Sequence, residues 1–415
     1  MKRNSALGYI VAASFSVLGL APAQAQTTEV QLGEALYFDQ NLSLNRNQAC
    51  ASCHDPGFGF VDPVNVQNLF PVSEGSVAGL FGGLNAPSAA YAAFSPFFHW
   101  NGVDGLFVGG QFWNGRANTL AEQAAGPFLN PVEMAMPDKW SVVERLRTST
   151  PPDPNYLTMF SEVYGLDLNA IPAYDATQAT PPGVLEIYDR MAKAIGEFEK
   201  TELFTQFDSK FDYYLAGQVA LTKQETKGLK LFEGQGKCAL CHLSTPTLAP
   251  DGVSLMPPLF TDFTYDNLGV PQNLLIPGTP IDQGLGGRPD IAAVDPNGLQ
   301  IGKHKVMTLR NIELTPPYAH NGVFTTLEQI VHFYNTRDVL PPCDPTLGNE
   351  DPGFAVTCWP APEVPVNVNL AELGNLHLTA AQEADIVAFL KTLTDGWGPA
   401  NGMAALPRPP MPPFP

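Results

Sequence analysis

Two short units of identical spacing constrain this 415-residue chain more than any other feature. The letters "CASCH" occupy residues 50–54, and "CALCH" occupies residues 238–242. One CxxCH unit is a weak motif, because zinc sites, redox dithiols and covalently attached cofactors all use closely spaced cysteines. Two copies make the motif strong. The fold must therefore contain two sites of the same kind, one at each unit.

Three kinds of site use cysteines at this spacing. Zinc requires four ligands, and three adjacent donors cannot all wrap one tetrahedral ion comfortably. A dithiol requires neither the following histidine nor a second copy. Attachment of haem c uses every residue, because both thiols bond to the vinyl groups and the histidine ligates the iron. We therefore expect two covalent haems, attached through Cys50, Cys53, His54, Cys238, Cys241 and His242.

The segments that precede the two units resemble each other. "LGEALYFD" comes before the first unit and "KGLKLFEG" before the second, and each is typical of a helix that leads through a loop into CxxCH. This duplication predicts a mainly α fold of two cytochrome c-like haem domains with long ordered loops. We place the N-terminal domain at 26–200 and the C-terminal domain at 201–405.

Apolar periodicity and capping residues predict a series of helices and few strands. The helices are expected at 30–38, 87–94, 117–125, 139–148, 185–200, 206–216, 222–233, 325–335 and 379–393. The segments 55–85, 244–305 and 340–376 are rich in glycine and proline, and we expect ordered loops packed on the haems. Residues 406–415 have the composition of a flexible tail.

The first 25 residues have the pattern of a signal peptide. Lys2 and Arg3 precede "LGYIVAASFSVLGL", which is too short for a relaxed membrane span, and "AQA" offers small residues for cleavage. We expect a periplasmic protein that starts near Gln26 and has no membrane span after cleavage. The formal net charge of −19, without a basic cluster, argues against nucleic acid as a partner.

Two cysteines lie outside the CxxCH units. Cys343 and Cys358 are fifteen residues apart in a proline-rich stretch. In an oxidising compartment, a structural disulfide is the default interpretation of such a pair. We therefore predict a disulfide that closes this loop.

Two longer stretches resemble the bacterial di-haem cytochrome c peroxidase and MauG superfamily. They are "FWNGRANTLAEQAAGPFLNPVEMAM" at 112–136 and "TLRNIELTPPYAHNGVFTTLEQIVHFYN" at 308–335. The resemblance covers nearly the whole mature chain. It implies two cytochrome c-like domains that enclose an interdomain site, and hydrogen peroxide as a substrate.

The resemblance also implies roles around the first haem. Gln123, Pro127 and Glu133 match the distal pocket of the peroxide-reactive haem. A carboxylate there can move a proton between the two peroxide oxygens, so Glu133 is the acid–base candidate, although a surface turn would also explain "NPVEM". Classical members often block this iron with a loop histidine, but none lies between His54 and His99. The first haem is therefore expected to be open to peroxide without activation, as in MauG.

The second haem requires a sixth ligand. Tyr334 stands where classical members carry an axial methionine and MauG-like members carry tyrosine. A phenolate ligand stabilises high oxidation states of iron, which would suit storage of an oxidising equivalent. On the residues alone, Tyr334 could instead be a core aromatic, with Met307, His304 or His332 as the ligand.

Further positions are implied by the same resemblance. Trp113 matches the tryptophan that lies between the two haems and would relay charge between them. The residues Asn85, Thr315 and Pro317 match an interdomain calcium site, with oxygen donors suited to a hard cation.

One position departs from MauG, which uses a surface tryptophan two residues before its second CxxCH to oxidise its protein substrate. Gly236 occupies that position here, so either the exit route or the substrate must differ. The other tryptophans that could serve are Trp100, Trp140, Trp359 and Trp397.

Three functions follow from these expectations. The leading one is a MauG-like oxidase in which peroxide generates a high-valent di-haem state that oxidises a side chain, above all tryptophan, on an exported partner. "GGQFWNGR" is similar to enzymes of methanobactin operons, which oxidise a tryptophan on a copper-binding partner. The second function is a cytochrome c peroxidase supplied with electrons by a small cytochrome or copper protein. The third is a non-catalytic di-haem electron carrier.

Overall fold

The computed structural model describes residues 27–248, 253–278 and 280–408. The predicted signal peptide and residues 409–415 of the predicted tail lie outside the described residues. The described part is mainly helical, as expected, with three two-stranded sheets. No helix in these ranges is both long enough and apolar enough to cross a membrane.

The helices are distributed along the whole described chain. In order they are α1 (Glu29–Tyr37), α2 (Cys50–Cys53), α3 (Pro63–Asn68), α4 (Leu120–Ala124), α5 (Lys139–Arg147), α6 (Tyr156–Tyr164), α7 (Pro182–Glu199), α8 (Lys210–Leu215), α9 (Lys223–Glu233), α10 (Pro289–Ala292), α11 (Leu327–Thr336), α12 (Ala380–Leu390) and α13 (Trp397–Ala400). The strands pair antiparallel as β1 (His99–Asn101) with β2 (Leu106–Val108), β3 (Thr247–Leu248) with β4 (Leu255–Met256), and β5 (Tyr265–Asp266) with β6 (His304–Lys305).

Most predicted helices are confirmed to within a few residues, but the helix predicted at 87–94 is wrong. Tyr91 adopts a left-handed conformation with φ of 60°, which interrupts a right-handed helix. Its backbone N–H donates to the carbonyl of Phe204 at 3.0 Å, so this donor pairs with a distant segment and not within a helix. Only a single 3₁₀ turn, Ala92–Phe94, forms there.

The sequence analysis did not predict α6, although its signals are present. The Asn155 side chain accepts a hydrogen bond from the Thr158 N–H at 3.2 Å, as an N-cap residue does. Gly165 ends the helix with φ of 67°, the left-handed conformation that glycine adopts readily. Tyr156 and Phe160, one turn apart, bury their rings in the core.

The helix before each CxxCH unit packs closely on a later helix. A Cβ atom on Gly33 of α1 would lie 1.9 Å from the Ala194 carbonyl oxygen of α7, and one on Gly228 of α9 would lie 1.9 Å from the Asp385 oxygen of α12. Backbone contact this close requires glycine. The two glycines hold corresponding positions in "LGEALYFD" and "KGLKLFEG", so the duplication predicted from the sequence is also a structural one.

Two large hydrophobic cores lie one after the other along the chain. The first draws almost entirely on residues 32–207, and the second on residues 211–393. A small third cluster joins Phe98 and Phe107 of the first half to Tyr265 of the second. The domain boundary near residue 200 stays a prediction, and the change of core at this point supports it.

The predicted disulfide between Cys343 and Cys358 is confirmed, with an S–S distance of 1.99 Å. The neighbouring Trp359 is 3% exposed, and its indole N–H donates to the Thr336 hydroxyl at 3.0 Å. The loop that the disulfide closes is therefore anchored to the second core through Trp359.

Candidate active site

The first CxxCH unit forms the single turn of α2, with His54 directly after it. The His54 N–H donates to the Cys50 carbonyl at 2.9 Å, and the Tyr37 hydroxyl donates to the His54 carbonyl at 2.7 Å. The His54 Nδ1 lies 3.1 Å from the carbonyl oxygen of Phe60. A neutral imidazole that donates from Nδ1 presents the Nε2 lone pair as a metal ligand, which is the arrangement haem iron requires.

The second unit repeats this geometry. The His242 Nδ1 lies 2.8 Å from the carbonyl oxygen of Phe260. Phe60 and Phe260 both have positive φ, at 63° and 54°, so the same backbone bend presents a carbonyl to each histidine. Burial lowers the pKa of His54 and lowers that of His242 to about 4. Both rings are therefore neutral at physiological pH, as iron ligands must be.

The cysteines of the two units suit thioether attachment. All four are free of disulfides, and burial above all raises the pKa of Cys53 and of Cys238 to about 12. Within the described ranges, the one group of three metal-ligating side chains is Asp351 with the Cys343–Cys358 disulfide. Two free thiols followed directly by an oriented histidine are the donor set that haem c requires.

A cavity of about 320 Å³ lies next to the first unit. It is lined by residues of one continuous segment, namely Phe112, Arg116, Ala117, Glu122, Gly126, Pro127, Asn130 and Glu133. Pro127 and Glu133 therefore meet in one pocket. Gln123, on α4, falls within this segment but is not among the residues that line the cavity.

Glu133 is partly buried in this pocket. Burial raises the pKa of its carboxyl, while the charge of Arg116 and a hydrogen bond from Asn130 Nδ2 to Oε1, at 2.7 Å, act in the opposite direction. Burial and then other acidic groups, Glu133 among them, raise the pKa of the Cys50 and Cys53 thiols. The carboxyl group thus lies within electrostatic range of both attachment cysteines.

Arg116 is a pocket residue that the sequence analysis missed. Its guanidinium carbon lies 3.4 Å from the centroid of the Phe112 ring, and Nη1 donates to the Asn114 side chain at 3.2 Å. Burial lowers its pKa, but a guanidinium remains charged at any physiological pH. The sequence could have indicated it, because Arg116 lies inside the 112–136 stretch that resembles the family and the chain has only 22 lysines and arginines.

Trp113 lies where the two halves meet. Its indole N–H donates to the Asn85 carbonyl at 2.9 Å, and its carbonyl accepts a hydrogen bond from the Lys305 N–H at 2.8 Å. Its ring centroid lies 6.4 Å from that of His304 and 6.3 Å from that of His320. A residue of the first half thus contacts three residues of the second, as an interdomain relay would.

The two histidines beside Trp113 form a stacked pair, which the sequence analysis also missed. Their ring centroids are 3.7 Å apart with 7° between the planes. His304 Nε2 lies 3.0 Å from an Asp282 carboxylate oxygen, and His320 Nε2 is hydrogen-bonded to Glu363. Burial and then the charge of His320 lower the pKa of His304 to about 4. These contacts engage His304 within the pair, which argues against it as a haem ligand.

Tyr334, on α11, faces the second CxxCH unit. Burial first, and then the two cysteine thiols of that unit, raise the pKa of its hydroxyl. The alternative ligand His332 has its Nδ1 3.0 Å from Glu383. The backbone of Met307 approaches the His242 ring, so Met307 lies on the His242 side of the unit. Tyr334 lies within electrostatic range of both cysteines of the unit, which supports it as the sixth ligand.

The residues expected to bind calcium lie along the same junction between the halves. The Asn85 N–H donates to the His320 carbonyl at 2.8 Å. A Cβ atom on Gly59 would lie 2.9 Å from the Thr315 methyl carbon, and Pro317 follows two residues later. Asn85 and Thr315 are both 9% exposed, so their polar groups are largely removed from bulk water.

Two of the tryptophans that could pass oxidising equivalents to a partner are buried. Trp140 and Trp359 are 4% and 3% exposed. At the Gly236 position, a Cβ atom would lie 2.8 Å from the Leu231 carbonyl oxygen and 3.2 Å from the Ile386 side chain. The backbone before the second unit therefore has no room for a tryptophan there.

The sequence of this chain is similar to those of known proteins. Residues 27–220 match the family model described as di-haem cytochrome c peroxidase. The methylamine utilization protein MauG of Paracoccus denitrificans is 38% identical over 375 residues, which cover 88% of this chain and 88% of MauG.

Two solved structures are similar over most of the chain. A variant of the dihaem peroxidase BthA from Burkholderia thailandensis aligns with a TM-score of 0.72 and 30% identity, covering 89% of this chain and 86% of that one. A MauG-like protein associated with microbial copper homeostasis aligns with a TM-score of 0.59 and 26% identity, covering 92% and 96%. From the paired CxxCH geometry and the identity to MauG, this chain belongs to the di-haem cytochrome c peroxidase and MauG family of oxidoreductases.

Proposed function

We propose that this protein is an exported, MauG-like di-haem enzyme that uses hydrogen peroxide to oxidise a side chain of a partner protein. One observation carries the proposal: Glu133, with a raised pKa, lines an open pocket beside the first CxxCH unit. Membership of the family supports the peroxide chemistry. The positions of Tyr334 and Trp113 support the use of the oxidising power on a partner.

Two haems would complete the enzyme. When bound, they supply the iron that reacts with peroxide and the capacity to hold two oxidising equivalents. The first would be held by Cys50, Cys53 and His54, and the second by Cys238, Cys241, His242 and Tyr334. The carbonyls of Phe60 and Phe260 fix the two histidine rings for this role.

Glu133 is proposed to move the peroxide proton. Asn130 donates to Oε1, so Oε2 is proposed to be the oxygen that meets peroxide in the pocket. A carboxyl group whose pKa is raised towards the operating pH can both accept and return a proton. Arg116 offsets the effect of burial on that pKa, so its charge keeps the carboxylate form accessible. Gln123, which follows the lining residue Glu122 on α4, would orient peroxide or water.

Trp113 and Tyr334 are proposed to distribute the oxidising equivalents. The contacts of Trp113 with both halves suit an indole that relays charge between two irons. The Tyr334 hydroxyl near the second unit suits a hard oxygen ligand, which favours an oxidised iron over a donor of ordinary reducing electrons.

The remaining elements of the proposal concern location, partner and a structural ion. The signal-peptide pattern of the first 25 residues supports the periplasm. The similarity to a MauG-like protein associated with microbial copper homeostasis supports a copper-binding partner. Tryptophan as the oxidised residue is proposed from the resemblance of "GGQFWNGR" to enzymes of methanobactin operons. Asn85, Thr315 and Pro317 are proposed to hold calcium through side-chain and carbonyl oxygens, together with water.

Low-temperature EPR of the ferric holoprotein, without added reductant, tests whether the first haem is open. We expect one high-spin and one low-spin signal. Two low-spin signals would contradict the proposal. They would favour a cytochrome c peroxidase that requires activation and takes electrons from a small cytochrome or copper protein, or an electron carrier.

A Glu133→Gln variant tests the proton transfer. Stopped-flow mixing with hydrogen peroxide should show a reaction slowed by about 100-fold, the usual contribution of a positioned acid–base group. Glu122→Gln is the matched control, because Glu122 lines the same pocket but is exposed. Unchanged kinetics in Glu133→Gln would remove Glu133 from the mechanism.

A further inference from the structure

Trp100 differs from the other tryptophans of the chain in its exposure. The sequence contains five tryptophans, and all of them lie in the described ranges. Trp100 is 52% exposed, whereas Trp140 and Trp359 are buried and Trp113 and Trp397 are partly buried. It lies on β1, in the hairpin that β1 forms with β2. An oxidisable side chain is therefore displayed on the surface of the hairpin.

A continuous row of aromatic rings leads inward from Trp100. The Trp100 and Phe107 centroids are 4.8 Å apart, and Phe107 stacks on Phe98 at 5.2 Å with 6° between the planes. Phe98 in turn contacts Tyr265 edge-on at 5.9 Å. Each step lies within the range of ordinary aromatic contact. Tyr265, at the inner end, is buried.

The inner end of this row lies against the loop that carries Trp113. A Cβ atom on Gly115, two residues after Trp113, would lie 2.0 Å from the Tyr265 hydroxyl oxygen and 2.8 Å from Phe98. Tyr265 also pairs across the β5–β6 ladder with Lys305, whose N–H donates to the Trp113 carbonyl. Packed atoms and one hydrogen bond therefore connect the proposed interhaem relay to the surface tryptophan.

We propose that Trp100 is the exit for oxidising equivalents, the surface residue at which the partner protein is oxidised. This inference rests on the proposed function and names the route that Gly236 does not provide. An electron leaves Trp100 and crosses the rings of Phe107, Phe98 and Tyr265 towards the haems. Trp100 is then reduced by an electron from an oxidisable side chain of the partner.

The electron and proton count of this route balances. One hydrogen peroxide molecule takes up two electrons and two protons and becomes two water molecules. The partner side chain loses two electrons and two protons, one electron at a time, and Trp100 returns to its starting state after each transfer. The rings of Phe107, Phe98 and Tyr265 mediate the transfer without being oxidised themselves, so no proton leaves the Tyr265 hydroxyl, which donates to the Gly109 carbonyl.

The test uses the holoprotein, hydrogen peroxide and the nitrone spin trap DMPO, followed by peptide mass spectrometry. Haem absorbance in the wild type is recorded in the same reaction, because it reports whether peroxide oxidises the haems at all. We expect that absorbance to change and the DMPO adduct to form on Trp100. Trp100→Phe should lose the adduct, while Trp397→Phe, which changes a partly buried tryptophan, should retain it.

Phe107→Leu separates relay from simple exposure. This variant keeps Trp100 on the surface but removes the ring beside it, so the adduct on Trp100 should decrease. An adduct that persists in Phe107→Leu, or that forms on another residue, would overturn the exit while leaving the peroxide chemistry intact. Haem absorbance that does not respond to peroxide in the wild type would instead overturn the proposed function.

Discussion

The ion pair between Asp212 and Arg310 gives a stability prediction that requires no knowledge of the substrate. Arg310 donates from Nη1 and Nη2 to the two Asp212 oxygens at 3.0 and 2.8 Å, and the side chains are 1% and 2% exposed. The Arg310 Nε donates to the Pro258 carbonyl at 2.8 Å. The rings of Tyr91 and Phe207 lie 4.9 and 4.5 Å from the guanidinium carbon. The pair thus joins the second core to rings of the first half.

Asp212→Asn should lower the free energy of unfolding by about 3 kcal/mol. Removing one charge from a buried pair costs about 3–5 kcal/mol when the other charge is left unpaired, but here the buried Asp395 Oδ1 still lies 3.9 Å from Arg310 Nη1. We take the lower end, since asparagine keeps the shape and one acceptor oxygen.

The effect should depend on pH. Burial alone would raise the pKa of Asp212, but Arg310 and neighbouring hydrogen bonds hold it below the usual 3.8. A depressed pKa contributes stability above the unfolded-state pKa, and this stability is lost as pH falls through the folded-state pKa. The difference between wild type and variant should therefore be full at neutral pH and decrease in acid below about 3.8.

Urea unfolding of the holoprotein, followed by tryptophan fluorescence, measures this difference. Glu225→Gln is the matched control. Asp212 and Glu225 both occupy the third position of a helix with a capping box, but the Glu225–Lys210 pair is 15% and 17% exposed. The control should lose about 1 kcal/mol or less. If Asp212→Asn lost no more than the control, burial would not be what makes the pair stabilising.

Three further predictions concern other sites. Glu199 Oε2 has no hydrogen-bond partner among the described residues, and burial raises the pKa of its carboxyl from 4.5 to about 8. The stability of the wild type should therefore fall as the pH rises from 4.5 to about 8. Glu199→Gln should be more stable than the wild type by up to about 5 kcal/mol above that pH range and should not differ from it below that range, as measured by urea unfolding. Replacing Cys343 and Cys358 by serine should cost about 3 kcal/mol for a loop of this length, with faster thermolysin cleavage as the local readout. Tyr334→Phe should abolish the low-spin EPR signal of the second haem, and an unchanged signal would assign the ligand elsewhere.

The sequence predicted those features that depend on local chemistry repeated along the chain. The CxxCH spacing, the flanking helices and the pairing of Cys343 with Cys358 all involve residues close in sequence, where spacing limits the possible geometry. The same holds for Pro127 and Glu133, which meet in one pocket because a single short segment builds it.

Features that depend on contacts between distant segments could not be predicted. The helix expected at 87–94 fails because Tyr91 donates its N–H to Phe204, more than one hundred residues away. The His304–His320 stack requires two loops to meet, and neither histidine lies in a recognisable metal or catalytic spacing. Arg116 was missed because an arginine near an acid–base residue becomes significant only when both line the same cavity.

The duplication makes the differences between the two halves informative. Both CxxCH units use the same device, a carbonyl from a left-handed phenylalanine that orients the histidine, so the histidine side of each haem site is alike. The surroundings differ, because the first unit lies near a cavity with Glu133 and the second lies near Tyr334. A carrier of single electrons would need no cavity lined by a partly buried carboxyl group such as that of Glu133. The different surroundings of the two units therefore support the proposal of one reactive and one storage haem, coupled through Trp113.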